Sequence, residues 1–170
     1  MSTNKFLTFL GNGKTLATAI AASVGAGDAN KIVATGSNGK LDSSFMPVGV
    51  GVSASQIVAS EALSAGDFVN IWSNTGIRNV RKADASNNRP ANGFVLAAVA
   101  LSGTVTVYQQ GENTALTGLG EGTIMFLSAS NAGKASATAP TASGHIIQTL
   151  GYALSTTSIL YEFDDPISIA

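Results

Sequence analysis

The chain contains no cysteine and a single histidine, His145. Disulfides and thiolate metal sites are therefore excluded, as are metal sites built on several histidines. Charged residues make up only 11% of the 170 residues, against about 25% in an ordinary soluble domain. The formal net charge is −1, which speaks against neutralising a phosphate backbone and so against nucleic-acid binding. No apolar run approaches the roughly 18 residues of a membrane-spanning helix. The start, Met1 to Lys5, leads into five mostly apolar residues before Gly11, too few for a signal-peptide core, so synthesis in a cytoplasm is expected.

What is present is apolar and small. Hydrophobic residues reach 45%, with nineteen glycines and many Ala, Ser, Thr and Asn, a mixture too hydrophobic for a disordered tail. A surface this poor in charge has little to keep copies apart, so assembly is the first functional expectation.

The pattern changes near residue 50. Residues 1–50 read as an arm and connector, and residues 51–170 as a β-rich domain. In the arm, Lys5 to Leu10 is a short apolar segment broken at Gly11-Asn12-Gly13. Leu16, Ile20 and Val24, spaced by four, predict a short helix over Thr15 to Val24, ended by Gly25 and Gly27. Val48-Gly49-Val50-Gly51-Val52 reads as a connector. Strand patterns follow at Asp67 to Trp72, Ile77 to Lys82, Gly93 to Ala100 and Thr104 to Tyr108. Others lie at Gly122 to Leu127, Ile146 to Leu154 and Ser158 to Phe163. Gly93 to Ala100 and Gly122 to Leu127 are continuously apolar, as in strands buried on both faces. Ser73 to Gly76 and Asn131-Ala132-Gly133 read as turns. The fold class is therefore mainly β: a single antiparallel β-sandwich or barrel-like (β-tulip-like) domain, preceded by an N-terminal arm with a short helix.

Catalytic motifs fail on inspection. Gly11-Asn12-Gly13-Lys14-Thr15 imitates the end of a phosphate-binding loop, but the position that needs the first glycine is Thr8. Glu162, Asp164 and Asp165 lack the regular oxygen spacing and internal glycine of a calcium loop. His145 has no Gly-x-Ser-x-Gly elbow to serve. The expectation is no catalytic residue, no metal, no cofactor and no enzyme. Trp72, inside a strand pattern, reads as a core residue. Arg78, Arg81, Lys82 and Arg89, opposed locally only by Asp84, form the richest charge cluster, either a charged interface or a solvated hairpin.

Several segments resemble tailed-bacteriophage structural proteins. Lys31-Ile32-Val33-Ala34-Thr35, followed by Asn38-Gly39-Lys40-Leu41-Asp42-Ser43-Ser44-Phe45-Met46-Pro47, resembles the connector ahead of their β-domains. Ser60 to Asn70, Gly93 to Val99 and Gly103 to Tyr108 resemble strands of capsid decoration (cement) proteins. Leu116 to Leu119 and Gly122 to Ser128 resemble a segment of phage head and tail-fibre proteins. The resemblance implies a virion protein on the capsid exterior that binds the major capsid protein, stabilises the shell and forms homo-oligomers, trimers above all. It makes the arm the capsid-binding element, through Lys5, Phe6, Leu7, Phe9, Leu10, Leu16 and Ile20. The alternative it leaves open is a head- or tail-fibre component whose β-domain is a host-glycan adhesin. Trp72, Tyr108, Tyr152 and Tyr161 would then be the stacking residues, although aromatics total only 6%.

Overall fold

The structure is a computed structural model that describes residues 5–10, 13–46 and 53–170. The Gly11-Asn12 turn and the connector at 48–52 lie outside the described residues. The chain divides into two compact units, Met1–Gly51 and Val52–Ala170.

In the first unit, β1 (Lys5–Leu10) and β2 (Gly13–Thr18) form an antiparallel hairpin with six register pairs, from Lys5 opposite Thr18 to Leu10 opposite Gly13. The expected helix over Thr15 to Val24 is therefore absent, and its first four residues are strand. A lone ten-residue helix is marginal in water. The extended conformation gains a ladder against β1 and suits the β-branched Thr15 and Thr18. Beyond the hairpin, Ile20 bridges Val33, and 3-10 turns span Ala26–Asp28 and Ser43–Phe45.

The second unit is mainly β. Its strands are β3 (Ala54–Ala59), β4 (Phe68–Asn74), β5 (Ile77–Lys82), β6 (Gly93–Phe94), β7 (Thr104–Tyr108) and β8 (Gly111–Asn113). They continue as β9 (Ile124–Leu127), β10 (Ala135–Ser136), β11 (Ile146–Ile147), β12 (Thr149–Ser155), β13 (Ser158–Tyr161) and β14 (Ile167–Ser168). A closed barrel runs β3-β5-β4-β6-β7, and a separate sheet runs β10-β9-β12-β13-β8. All these pairs are antiparallel except β3–β5, where Val58 and Ala59 run parallel to Asn79 and Val80. The strands β11 and β14 form a small ribbon.

Two apolar clusters follow from this layout. Ile57, Ala59, Val69, Val80, Val105 and Val107 belong to the first, which lines the barrel. The outward-facing Gln56, Val58 and Thr104 are exposed, so β3 and β7 show the period-two pattern of one-sided burial. Phe68 and Phe94 turn the other way and join Met125, Leu127, Leu150, Ile159 and Tyr161 of the sheet in a second cluster. The strand β4 is consequently covered on both faces, Val69 inward and Phe68 toward the sheet. The rings of Phe68, Phe94 and Tyr161 meet in tilted and edge contacts with centroids 5.7–6.4 Å apart.

Polar groups inside this second cluster are paired. The buried Tyr161 hydroxyl donates to the Ala91 carbonyl at 2.9 Å. The Gln148 side chain imitates a strand neighbour: its Oε1 accepts from the Ala91 amide at 2.7 Å, and its Nε2 donates to the Ala91 and Asp164 carbonyls. Among the described residues no buried side-chain nitrogen or oxygen lacks a partner, as a low-dielectric interior requires.

Three further sequence expectations need correction. The run from Gly93 to Ala100 is strand only at Gly93–Phe94. Its continuation follows the 63–67 loop instead, through the Gly66 amide to the Val95 carbonyl and a Leu63–Val99 bridge. Gly122 to Leu127 is not a two-sided buried strand: Met125 and Leu127 are buried, while Ile124 is 56% exposed. Trp72 is half-buried rather than a core residue. Its indole donates to Ser60 Oγ at 3.1 Å, and the Arg81 guanidinium lies 4.3 Å from its ring centroid.

Candidate functional site: the N-terminal unit and the basic hairpin

The six register pairs of β1–β2 fix which side chains share a face. Leu7 stands directly opposite Leu16, and Lys5 lies two residues before Leu7 on the same face. Phe6 lies opposite Ala17 on the other face. Leu7 is 59% exposed and Leu16 64%, and Phe6 is 43% exposed. Lys5 is exposed and Ile20 half-buried. Phe9 and Leu10 are placed in β1 by their backbones, opposite Lys14 and Gly13. The structure thus brings Lys5, Leu7 and Leu16 onto one side of a hairpin, puts Phe6 on the other, and leaves Ile20 beyond the hairpin at the Val33 bridge.

The remainder of the unit is held by polar turns rather than by packing. The Asp28 carboxylate pairs with Lys31 and accepts from the Val24 amide at 2.6 Å. The Lys31 ammonium and that amide hold its carboxyl below the usual carboxylate range. The Ser23 amide donates to Ser44 Oγ at 2.7 Å, and Asp42 accepts from the Ser44 amide. Asp42 is likewise lowered, by the Ser44 hydroxyl and amide. Among the described residues of this unit whose exposure is defined, none is buried. Val24 is 92% exposed, and Val33, Leu41 and Met46 are also exposed. Val24, expected on a helix stripe, and Leu41 and Met46, expected in the connector, are thus exposed apolar residues.

The basic cluster sits on the second unit. Arg78 is exposed near the tip of the β4–β5 hairpin, whose two-residue loop has positive φ at Thr75 and Gly76. That loop suits the right-handed twist of the flanking strands. Arg81, Lys82 and Arg89 are half-buried. Arg81 Nε donates to Asn70 Oδ1 at 3.0 Å. Burial and the nearby Arg89 charge lower its affinity for the proton, but an arginine stays charged. The Lys82 amide donates to Glu61 at 2.6 Å, and Arg89 bridges the buried Asp84 through the backbone.

The remaining candidates are dispersed. Glu162, Asp164 and Asp165 are exposed in the segment after β13, and no group of three metal-ligating side chains occurs among the described residues. His145 borders a shallow hollow of about 260 Å³ shared with Ser130, Thr138 and Thr141. Of the four aromatics a glycan site would use, Tyr161 is fully buried and Tyr108 stacks on Phe94 at 5.5 Å. Trp72 lies under Arg81, and of the four Tyr152 alone is exposed, at 47%. Among the described residues no helix is long and apolar enough to cross a membrane. Compared with protein-family models, curated proteins and solved structures, the chain matches none.

Proposed function

We propose that this chain is a non-enzymatic virion protein that binds the outer surface of a tailed-phage head and stabilises its shell, with the N-terminal unit as the attachment element. The major capsid protein is its partner. The observation that carries this reading is the first unit's exposed apolar hairpin, with Leu7 and Leu16 paired across the strands and no buried residue among those of the unit whose exposure is defined. A segment that cannot bury its own apolar side chains gains stability by burying them on something else. The resemblance of Lys31 to Pro47 and of the later strands to decoration proteins supplies the kind of surface.

The energetics suit a cement. Fully burying a large apolar side chain is worth roughly 1.5–3 kcal/mol, so Phe6, Leu7 and Leu16, already partly covered, offer on the order of 3–5 kcal/mol. Association costs consume much of that, so one copy binds weakly. Oligomers recover affinity through effective concentration. Contacts made only with the assembled shell then shift its stability by mass action.

The test is co-sedimentation of the purified chain with undecorated phage heads, followed by heating of the heads. Saturable binding that raises the disruption temperature is expected, and a chain lacking residues 1–30 should not bind. Binding to host cells with no binding to heads would overturn the reading in favour of a fibre role.

A further inference from the structure

We propose that copies of this chain associate head to tail, the basic β4–β5 hairpin of one copy seating on the outer face of the five-stranded sheet of the next. That face is apolar where a solvated sheet face would be polar. Ile124 lies opposite Tyr152, Tyr152 lies opposite Leu160, and Leu154 follows two residues along β12. Ile124 is 56% exposed, and Tyr152 and Leu154 are nearly half exposed. Nothing in the second unit covers them, because the opposite face of the same strands carries the core residues Met125, Ala153 and Ile159.

Charge selects the partner. The rim of this face is acidic: Glu112 stands opposite Leu160, Glu121 precedes β9 and Glu162 follows β13, all three exposed. Residues 110–170 carry these three with Asp164 and Asp165, against Lys134 alone. Lys134 is engaged by the buried Asp67. The opposite sign lies on the barrel, in Arg78, Arg81, Lys82 and Arg89. Glu61 acts on Arg81 and Asp84 on Arg89, which offsets part of the basic charge, while Arg78 at the hairpin and the three glutamates of the rim take part in neither the Lys31–Asp28 nor the Lys134–Asp67 ion pair. Ile77, 64% exposed at the hairpin's tip beside Arg78, supplies an apolar group to meet the sheet. Arg81 is held by Trp72 and Asn70, so ordering it on contact costs little.

Sheet-to-sheet pairing of two copies would set glutamate against glutamate. Hairpin-to-sheet pairing sets arginine against glutamate and Ile77 against Ile124, Tyr152 and Leu154. The two surfaces differ, so the contact is heterologous, and an open chain of copies keeps one free surface of each kind at its two ends until a ring closes. This inference does not depend on the head-binding role, since both surfaces lie in the second unit.

Complementation in the full chain tests it. Ile77→Glu spoils the hairpin and spares the sheet face, and Ile124→Lys does the reverse. Sedimentation velocity should find the unmodified chain oligomeric and each variant monomeric. An equimolar mixture should associate again, through the intact hairpin of one variant and the intact sheet face of the other. A monomeric unmodified chain, variants that assemble as before, or a mixture that stays monomeric would each overturn the proposal. Should either variant melt early, Arg78→Glu with Leu154→Lys makes the same test.

Discussion

Residues 5–46 and residues 53–170 share a composition rich in small and apolar residues, yet they use it differently. In the second unit Phe68, Phe94, Leu127 and Leu150 are packed into one cluster and are at most 1% exposed. In the first unit Phe6, Leu7 and Leu16 remain in solvent, and the fold rests on one hairpin and a few side-chain-capped turns. Hydrophobic composition therefore does not by itself report a core. What separates the units is whether the elements can enclose a volume, and a two-stranded ribbon cannot. One unit encloses its apolar side chains, and the other leaves Phe6, Leu7 and Leu16 exposed.

The largest expected effect cuts the two units apart. A chain beginning at residue 52 should keep the melting temperature of the second unit within a few degrees while losing head binding altogether. Calorimetry with co-sedimentation reads both. A truncated chain that melts far lower would show that the units depend on each other. The converse is Phe94→Ala. Removing a ring packed on Phe68, Tyr108 and Tyr161 should cost about 3–5 kcal/mol in denaturant unfolding. The unfolding of the first unit should not follow it.

Next in size is Gly151→Ala. Gly151 has φ +121°, and an added Cβ would run into the Leu160 carbonyl of the neighbouring strand. It marks the register shift between Thr149 and Gly151 where β12 pairs with β9. The irregularity lets Leu150 point into the core while Tyr152 points out. The expected loss is about 2 kcal/mol or more from backbone strain alone, read as a lower denaturation midpoint.

That bulge also shows where the sequence stopped being legible. Thr104 to Tyr108 alternates cleanly and is strand from end to end, and the turn read at Ser73 to Gly76 is a two-residue hairpin loop at Thr75-Gly76, with Ser73 and Asn74 still in β4. Both signals are local. Gly122 to Leu127 is apolar at nearly every position, so alternation could not say which residues face out, and Ile124 was read as buried. The helix over Thr15 to Val24 failed for a related reason: three residues spaced by four mimic a stripe, while the strand's support comes from β1, outside the window. Five of the seven proposed arm contacts, Lys5, Phe6, Leu7, Phe9 and Leu10, come from the Lys5 to Leu10 run itself. The outer sheet face could not be, because Ile124, Tyr152 and Leu154 meet only through the pairing of β9 with β12.

A smaller effect is expected from acid. Asp84 is buried, which alone would raise its carboxyl. Hydrogen bonds from Asn87 and Ser86, together with the Arg89 charge, outweigh burial and hold it below its ordinary value of 3.8. A carboxyl lowered in the folded state contributes stability above the unfolded pKa, and that contribution is lost as pH falls through the folded pKa. Asp84→Asn should cost about 1 kcal/mol at neutral pH, since an amide turns a donor toward Asn87. It should also flatten the fall in stability below about pH 4. An unchanged acid limb would assign that fall to other carboxylates.

The smallest stability effect belongs to the residues expected to matter most for binding. Leu16→Ser removes an apolar side chain that is already 64% exposed and packs on no cluster of buried residues. Little burial is lost, so its cost to folding should stay within about 0.5 kcal/mol, as for an ordinary surface change. The same substitution should weaken head binding several-fold per copy, because the area it removes is buried only in the complex. Leu7→Ser, directly across the hairpin, should do the same, and the double variant should lose less than the two single losses combined, since the pair shares one contact. A Leu16→Ser chain that unfolds early yet binds heads normally would reverse the comparison. The hairpin would then be structure, and the attachment surface would have to be sought on the second unit.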